Sequence, residues 1–361
     1  FEAAVPADSS DVEPIIRWLN QPYIIADASR VVVTYTAMTS STSSVDAFMA
    51  EATVGEATLN FAKTVELGAD ADSKNQLGYA RSAFTPDGKL WVGYDTSIRY
   101  SSTNWGHEMG YSKETDGFKY HTVNIGDPPC DCCRSEFYIN AAGDRYTAYR
   151  AKTSKGRQLQ LAVSPQAESD FTWASTIHDD WWDEKVCPEQ GPRMNELSDG
   201  TLLYASSDKQ SGTQDSFIAT STDKGKTWSR KVSMVKSLPN PRNPQLAVDD
   251  TDRIWAGIRK SGVETIIVTS DDGGTTWSAP MSLESPDGRL ASAVRNNHGA
   301  FQPNRIGRGW EIHFEPADPP QVPNDHQISH NIKAISQEIR RQGYPDIQKH
   351  VMSIALRSTG Q

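Results

Sequence analysis

Four cysteines are the residues of this sequence with the most unusual spacing. Cys130, Cys132 and Cys133 stand within four positions of one another, and the fourth is Cys187. Thiolate sulfur is a soft ligand that favours Cu(I) or zinc, and His178 is a further candidate ligand. An even number of cysteines in a secreted chain also predicts two disulfides, with at least one bridge to Cys187. A copper or zinc site and a disulfide framework are therefore the two alternatives.

Arginines recur at roughly fifty-residue intervals, a spacing typical of a structural repeat. They are Arg81, Arg134, Arg193, Arg242 and Arg295. A guanidinium group can make paired hydrogen bonds to carboxylate, sulfate or phosphate, so arginines brought together would bind an acidic ligand. Their mutual repulsion could instead be offset by acidic residues of the chain, which would make them structural ion pairs. The acidic residues available for this are Asp131, Glu136, Glu189 and Glu196.

Three side chains close to these arginines are candidates for proton transfer. Tyr79, Glu189 and His298 each stand within four residues of one of them. A tyrosine or histidine beside an arginine-neutralised carboxylate is suited to general acid–base chemistry, as in a glycosidase or a lyase that acts next to a uronate carboxylate. A histidine near the centre of a fold is equally explained as a packing residue.

Two adjacent tryptophans, Trp181 and Trp182, lie in a polar segment between two of the repeated arginines. Their flat faces could stack on sugar rings. The alternative is that one tryptophan packs beneath the segment and the other is partly exposed.

The elements that would position these residues are indicated by an internal repeat. The pattern S-x-D-x-G-x-T-W occurs at Ser221–Trp228 and again at Ser270–Trp277, 49 residues later. Its aspartate can accept backbone N–H groups across a turn, its glycine adopts a conformation that other residues avoid, and its tryptophan covers the base of the hairpin. We predict that these two boxes are structural turns.

A second repeat consists of two strand-like segments joined by a turn that contains Asp or Gly. It occurs at 23–35, 81–94, 134–149, 193–204 and 242–257, and begins again near Arg295. Six such units predict an all-β chain folded as a single six-bladed β-propeller, with one short C-terminal helix at Asn331–Gln342. The predicted blades span approximately 20–65, 78–126, 130–180, 187–233, 240–283 and 289–357. In a propeller the repeated arginines would approach the axis on one face.

The box at Ser221–Trp228 and the segment Glu196–Leu202 together resemble the fourth blade of a bacterial sialidase. The chain is similar to the sialidase (neuraminidase) superfamily, and the resemblance implies a six-bladed propeller carrying Asp boxes, also called BNR repeats. The catalytic set departs from the family pattern. Asn20–Tyr23 stands where the family has its first arginine motif, Gly191 where it has a catalytic glutamate, and Ala205–Ser207 where a second arginine follows. The resemblance therefore implies the fold more specifically than the reaction.

Composition excludes two classes of partner. The 361 residues carry a net charge of −10 and no run of basic residues, which argues against nucleic-acid binding. No apolar stretch approaches the roughly 18 residues that a membrane-spanning helix needs. The initial Phe and the cysteine content predict a processed chain that is secreted or periplasmic.

These observations predict a secreted, carbohydrate-active propeller that binds an acidic oligo- or polysaccharide. Whether it also cleaves this ligand is left open by the sequence, and an enzyme of this kind would be a glycoside hydrolase or a uronate lyase. Two non-enzymatic alternatives are a protein whose cysteine-rich face binds copper or zinc, and an extracellular interaction scaffold with internally paired arginines.

Overall fold

The computed structural model describes residues 23–27, 29–38, 45–53, 63–70, 75–99, 105–130, 133–178, 182, 190–210, 213–236, 238–260 and 265–282. Within these ranges the chain folds into five four-stranded antiparallel sheets, and the four strands of each sheet follow one another in chain order. This arrangement is a β-propeller, as the repeats predict. The predicted sixth unit and the predicted helix at Asn331–Gln342 lie outside the described residues.

The strands have the following bounds. Sheet 1 contains β1 Tyr23–Ala26, β2 Arg30–Met38, β3 Val45–Thr53 and β4 Lys63–Leu67. Sheet 2 contains β5 Asn75–Phe84, β6 Leu90–Arg99, β7 Trp105–Lys113 and β8 His121–Val123, with a 3₁₀ turn at Glu114–Asp116 before β8. Sheet 3 contains β9 Glu136–Ile139, β10 Arg145–Thr153, β11 Gly156–Ser164 and β12 Trp173–Thr176. Sheet 4 contains β13 Arg193–Glu196, β14 Leu202–Gln210, β15 Thr213–Ser221 and β16 Val232–Ser233. Sheet 5 contains β17 Arg242–Val248, β18 Ile254–Arg259, β19 Thr265–Ser270 and β20 Met281–Ser282.

The first hairpin of sheets 2 to 5 is closed by the same backbone hydrogen bond, from the N–H of one residue to the carbonyl oxygen four residues later. The donor–acceptor pairs are Thr85–Lys89, Asn140–Asp144, Leu197–Thr201 and Asp249–Arg253. The fourth turn residue has positive φ and is glycine in three sheets, while Asp252 takes this position in sheet 5. These turns are where the sequence predicts them, because only a few residue types tolerate that backbone conformation.

The two S-x-D-x-G-x-T-W boxes form the turns between the third and fourth strands of sheets 4 and 5. In the first box, Thr227 donates to Asp223 from its backbone N–H (2.9 Å) and its hydroxyl (2.6 Å). Trp228 Nε1 donates to the carbonyl oxygen of Gly225 at 3.1 Å. The second box repeats these bonds at 2.8, 2.6 and 3.2 Å. The Asp, Gly, Thr and Trp that recur in both boxes all form hydrogen bonds within the turn, so the boxes are structural, as predicted.

Consecutive sheets pack face to face through buried apolar side chains. One cluster joins sheets 1 and 2 and includes Val32 and Tyr94, and another joins sheets 3 and 4 through Leu161 and Phe217. The first box also connects sheets 3 and 4, since Ser175 Oγ donates to the carbonyl oxygen of Gly225 at 2.8 Å. The first strand of each sheet contacts the first strand of the next, so β1, β5, β9, β13 and β17 form the inner layer. In the part of the chain that the structure describes, no helix has the length and apolar character needed to span a membrane.

Candidate functional site

Polar and aromatic side chains from all five inner strands form a continuous series of contacts. The Arg81 guanidinium lies over the Tyr23 ring, 4.6 Å from its centroid, and interacts electrostatically with Glu136. Glu136 Oε2 lies 3.2 Å from Arg193 Nη1, and Arg193 Nε donates to Gln245 Oε1 at 2.6 Å. Each sheet therefore contributes one inner-strand residue to the same place, which is the convergence that a propeller predicts.

Glu136 is the carboxylate that pairs with the arginines, and it is only 1% exposed. Burial raises its pKa, while the charges of Arg81 and Arg193 oppose that rise. The pKa of Arg193 is held well below its ordinary value, first by burial and then by the positive charge of Arg81, with a further contribution from Arg134. Arg81 and Arg193 thus act on each other and on the carboxylate of Glu136, and Arg134 acts on Arg193.

Asp95, in the second strand of sheet 2, is the other carboxyl group that interacts with Arg81. Burial raises its pKa to about 8, against hydrogen bonds from Ser135 and the charge of Arg81, both of which lower it. At neutral pH the carboxyl group is therefore mostly protonated and can donate a proton. We name Arg81, Asp95, Arg134, Glu136 and Arg193 the axial cluster.

Two inner strands, β5 and β17, each have a bulge next to the residue that contacts the axial cluster or belongs to it. In β5 the register against β6 shifts between Gly78 and Arg81, and Tyr79, within that bulge, has φ of 49°. In β17 the shift lies between Arg242 and Gln245, with φ of 47° at Asn243. Non-glycine residues at positive φ are strained, and bulges redirect side chains next to binding sites.

The bulge in β17 changes which residue of sheet 5 reaches the axial cluster. Gln245 contacts Arg193, whereas Arg242 is exposed and lies beside Arg259, whose pKa it helps to lower after the larger effect of burial. Arg81, Arg134 and Arg193 are buried, at 2%, 8% and 4% exposure. The structure thus brings together three of the five predicted arginines and separates Arg242 from them.

The cysteine-rich segment lies next to the axial cluster, between sheets 3 and 4. Cys130 and Cys133 are both buried, and the disulfide framework stays a prediction because Cys132 and Cys187 lie outside the described residues. Arg157 Nε donates to Cys130 Sγ at 3.3 Å, and the Cys133 and Cys130 side chains are hydrogen-bonded to each other. His178 is half-buried and packs edge-on against Phe217, with ring centroids 6.1 Å apart. Among the described residues, no three His, Cys, Asp or Glu side chains are grouped as a metal site requires.

Trp182 lies in the same region and has a packing role. It is 4% exposed, its backbone N–H donates to the carbonyl oxygen of Arg157 at 3.0 Å, and the Arg150 guanidinium lies 5.6 Å from its ring centroid. Arg150 in turn donates to the carbonyl oxygen of Ser207 at 2.7 Å and lies 3.6 Å from Asp208. This burial leaves the Trp182 ring no free face for a sugar, so Trp182 is the packed tryptophan of the alternative, and stacking by Trp181 stays a prediction.

Comparisons with known proteins agree with this geometry. A family model described as a BNR repeat-like domain matches residues 187–302. A leech intramolecular trans-sialidase superimposes with a TM-score of 0.51 at 11% identity, over 82% of this chain and 64% of that protein. The intramolecular trans-sialidase of Ruminococcus gnavus gives 0.47 at 10% identity, over 84% and 95% of the two chains. The Hadza microbial sialidase Hz136 gives 0.41 at 18% identity, over 65% and 54%. No curated protein sequence matches this chain significantly.

The fold is that of a sialidase-like BNR-repeat β-propeller. Both Asp boxes and the axial residues Arg193 and Gln245 lie inside the matched segment. This propeller departs from the sialidase pattern at Gly191 for a steric reason. A Cβ atom on Gly191 would collide with the carbonyl group of Arg134, so a glutamate cannot occupy this position without a backbone shift.

Several predicted site residues lie outside the described part of the propeller. They are Glu189, His298, Arg295, Trp181, Cys132 and Cys187. Sequence reasoning missed Asp95, because it stands in a second strand rather than at the start of a repeat. It also missed Gln245, because the bulge that turns this residue towards Arg193 has no obvious sequence signal.

Proposed function

We propose that this propeller binds an acidic oligo- or polysaccharide at the axial cluster and acts on it as a glycoside hydrolase or uronate lyase. The observation that carries the proposal is the meeting of Arg81, Arg134 and Arg193, from two inner strands and the segment before a third, beside the buried carboxylate of Glu136. Buried guanidinium groups repel one another in a medium of low polarity, so an anion that enters among them is bound favourably.

A sugar carboxylate fits this cluster better than a neutral sugar does. Arginine holds carboxylates through paired N–H donors, and a neutral sugar has no carboxylate to accept them. The leech trans-sialidase that shares the fold was crystallised with 2,7-anhydro-Neu5Ac. We extend this ligand class, sugars that carry an acid group, to the present chain.

Asp95 is the residue that we assign to proton transfer within the axial cluster. In the register between β5 and β6 it stands opposite Gly78, immediately before the bulge that carries Tyr79. A buried, protonated carboxyl group next to an arginine can donate its proton to a departing glycosidic oxygen. Tyr79 is the second candidate for proton transfer, and Glu189 and His298 stay predictions from the sequence.

The test combines a ligand panel with two arginine variants. Sialyl-oligosaccharides, uronic-acid oligosaccharides and their neutral counterparts are titrated calorimetrically, and each is assayed for cleavage. A lyase is recognised by an unsaturated product that absorbs in the near ultraviolet. We expect binding only of the acidic members, weakened at least tenfold in Arg193→Lys, because lysine keeps the charge but loses the planar fork.

Arg253→Lys is the matched control. Arg253 pairs with Asp271 at 2.5 Å, and its side chain is 43% exposed, in the turn between β17 and β18 at a distance from the axial cluster. The proposal predicts unchanged binding in this variant. Equal binding of acidic and neutral sugars, or equal loss in the two variants, would contradict it. Cleavage that survives Asp95→Asn would remove Asp95 from the reaction.

A further inference from the structure

Arg193, in the axial cluster, contacts both a carboxylate and a neutral amide. Its Nη1 lies 3.2 Å from Glu136 Oε2 and donates to the carbonyl oxygen of Pro192 at 2.7 Å. Its Nε donates to Gln245 Oε1 at 2.6 Å. Arg193, Glu136 and Gln245 are 4%, 1% and 1% exposed. The charged group and the amide therefore act on the same guanidinium in a buried environment, where charge matters most.

The bulge of β17 holds the Gln245 amide in place. Gln245 Nε2 donates to the carbonyl oxygen of Asn243 at 3.3 Å, and the N–H of Asn243 donates to Gln190 Oε1 at 3.3 Å. Asn243 has φ of 47°, a conformation that persists only where the surroundings hold it. Gln190 is 2% exposed, at the entry to sheet 4. These bonds on both sides of Asn243 fix the amide with its oxygen towards Arg193 Nε.

The residue type at position 245 decides how much negative charge the chain itself places on Arg193. Glutamine and glutamate have nearly the same size and shape, and an oxygen of either can accept the N–H of Arg193 Nε. Arg81 and Arg134 act electrostatically on Arg193 as well. A second carboxylate in contact with Arg193 would attract the guanidinium groups that are needed for an acidic ligand, and it would repel that ligand.

We propose that Gln245 determines the preference of the axial cluster for acidic sugars. It acts through Arg193, as a positioning residue, because its amide oxygen orients the guanidinium group without neutralising it. Sheet 5 supplies this amide in place of Arg242, which the bulge separates from the cluster. The inference rests on the proposed binding of an acidic sugar at the axial cluster.

The test measures two quantities in variants of the full chain. They are the calorimetric affinity for a uronic-acid oligosaccharide and a sialyl-oligosaccharide, and the thermal unfolding midpoint without ligand. Gln245→Glu should weaken binding of the acid that the original chain binds by about 100-fold, because the new carboxylate repels it. The unfolding midpoint of this variant should not fall, because a carboxylate accepts the bond from Arg193 Nε at least as well as an amide does.

Gln245→Met separates the effect of charge from that of the hydrogen bond. Methionine is neutral and similar in length, but its sulfur is only a weak acceptor. The unfolding midpoint should fall, because Arg193 Nε loses its amide acceptor, whereas binding of the acid should weaken by only about tenfold. The two variants should therefore rank in opposite orders for stability and for affinity. A merely structural glutamine would give the same order for both quantities.

Gln166→Glu is the matched control, because it makes the same chemical change on the surface. Gln166 is exposed, in the turn between β11 and β12. This turn follows Ser164, at the Ile139 end of sheet 3, whereas Glu136 lies at the other end of β9. We expect the affinity and the unfolding midpoint of this variant to equal those of the original chain.

The outcomes separate this inference from the acidic-sugar proposal. An original chain that binds neither acid would overturn both. Acid binding that survives unchanged in Gln245→Glu, or that weakens as much in Gln245→Met or Gln166→Glu, would overturn the role of Gln245 alone. Failure of the Gln245→Glu chain to fold would do the same, because a carboxylate at this position should be compatible with the fold.

Discussion

The Asp boxes and the axial cluster use the same repeated sheet in opposite ways. The two boxes have the same hydrogen bonds in sheets 4 and 5, with corresponding distances that agree within 0.1 Å. At the axis, equivalent strands contribute different side chains, namely Tyr23, Arg81, Glu136, Arg193 and Gln245. The repeated residues therefore stabilise the fold, and the residues that vary between equivalent strands form the candidate functional site.

The Asp boxes and the axial region also differ in the residues that adopt a positive φ. The boxes place glycine at positive φ, with 87° at Gly225 and 89° at Gly274, and one non-glycine residue of the first box, Lys224, has φ of 64°. Near the axial cluster, Tyr79 and Asn243 adopt positive φ without being glycine. A strained non-glycine residue costs about 1–3 kcal/mol and persists only where the surroundings hold it. In the axial region this cost falls at the two bulges of the inner strands, which redirect side chains.

The largest effect on stability should come from adding a side-chain atom where the segments that lead into sheets 3 and 4 make a close backbone contact. Gly191→Ala puts a Cβ atom against the carbonyl group of Arg134, and we expect it to lower the free energy of unfolding by about 4 kcal/mol. Gly88→Ala is the control, because Gly88 also lies in a loop but has open space around it. Its positive φ alone should cost about 1 kcal/mol. Equal unfolding midpoints for the two variants in denaturant would show that the close approach at Gly191 is unimportant.

The next effect concerns the charge balance of the axial cluster. Glu136→Gln removes the carboxylate between Arg81 and Arg193, and we expect a loss of about 3 kcal/mol, because buried guanidinium groups are left uncompensated. An acidic sugar should restore part of this stability, and a neutral sugar should not, as measured by thermal unfolding with each ligand. If the acidic sugar gives no larger shift than the neutral one, the arginines are structural ion pairs only.

The smallest effect should be the acid sensitivity of the boxes. Hydrogen bonds from Thr227 and Thr276 lower the pKa of Asp223 and Asp272 to about 2, from an ordinary value of 3.8. A carboxylate with a lowered pKa in the folded state stabilises the fold above its unfolded pKa. That contribution is lost as the pH falls from about 4 to about 2. Unfolding curves across this range should therefore change less in the Asp223→Asn, Asp272→Asn double variant than in the original chain. A steeper acid loss in the variant would contradict this account of the boxes.

The sequence predicts the local features of this fold and misses the features that depend on register. The boxes and the hairpin turns are predictable because Gly, Asp and Trp at fixed spacing leave few backbone conformations open. Glu136 is among the acidic residues that the sequence offers as partners for the arginines. Gln245 is not predictable, because the bulge just before it decides which side chain turns inward, and Asp95 is not predictable, because it stands in a second strand, outside the repeated arginine pattern.

The central claim is that arginines from separate sheets meet to hold an acidic sugar. A crystal structure of the full chain with a sialic or uronic acid tests it most directly. The account predicts the sugar carboxylate within about 3 Å of guanidinium nitrogens from at least two of Arg81, Arg134 and Arg193. A sugar bound elsewhere, with Arg193 still paired only to Glu136 and Gln245, would contradict it.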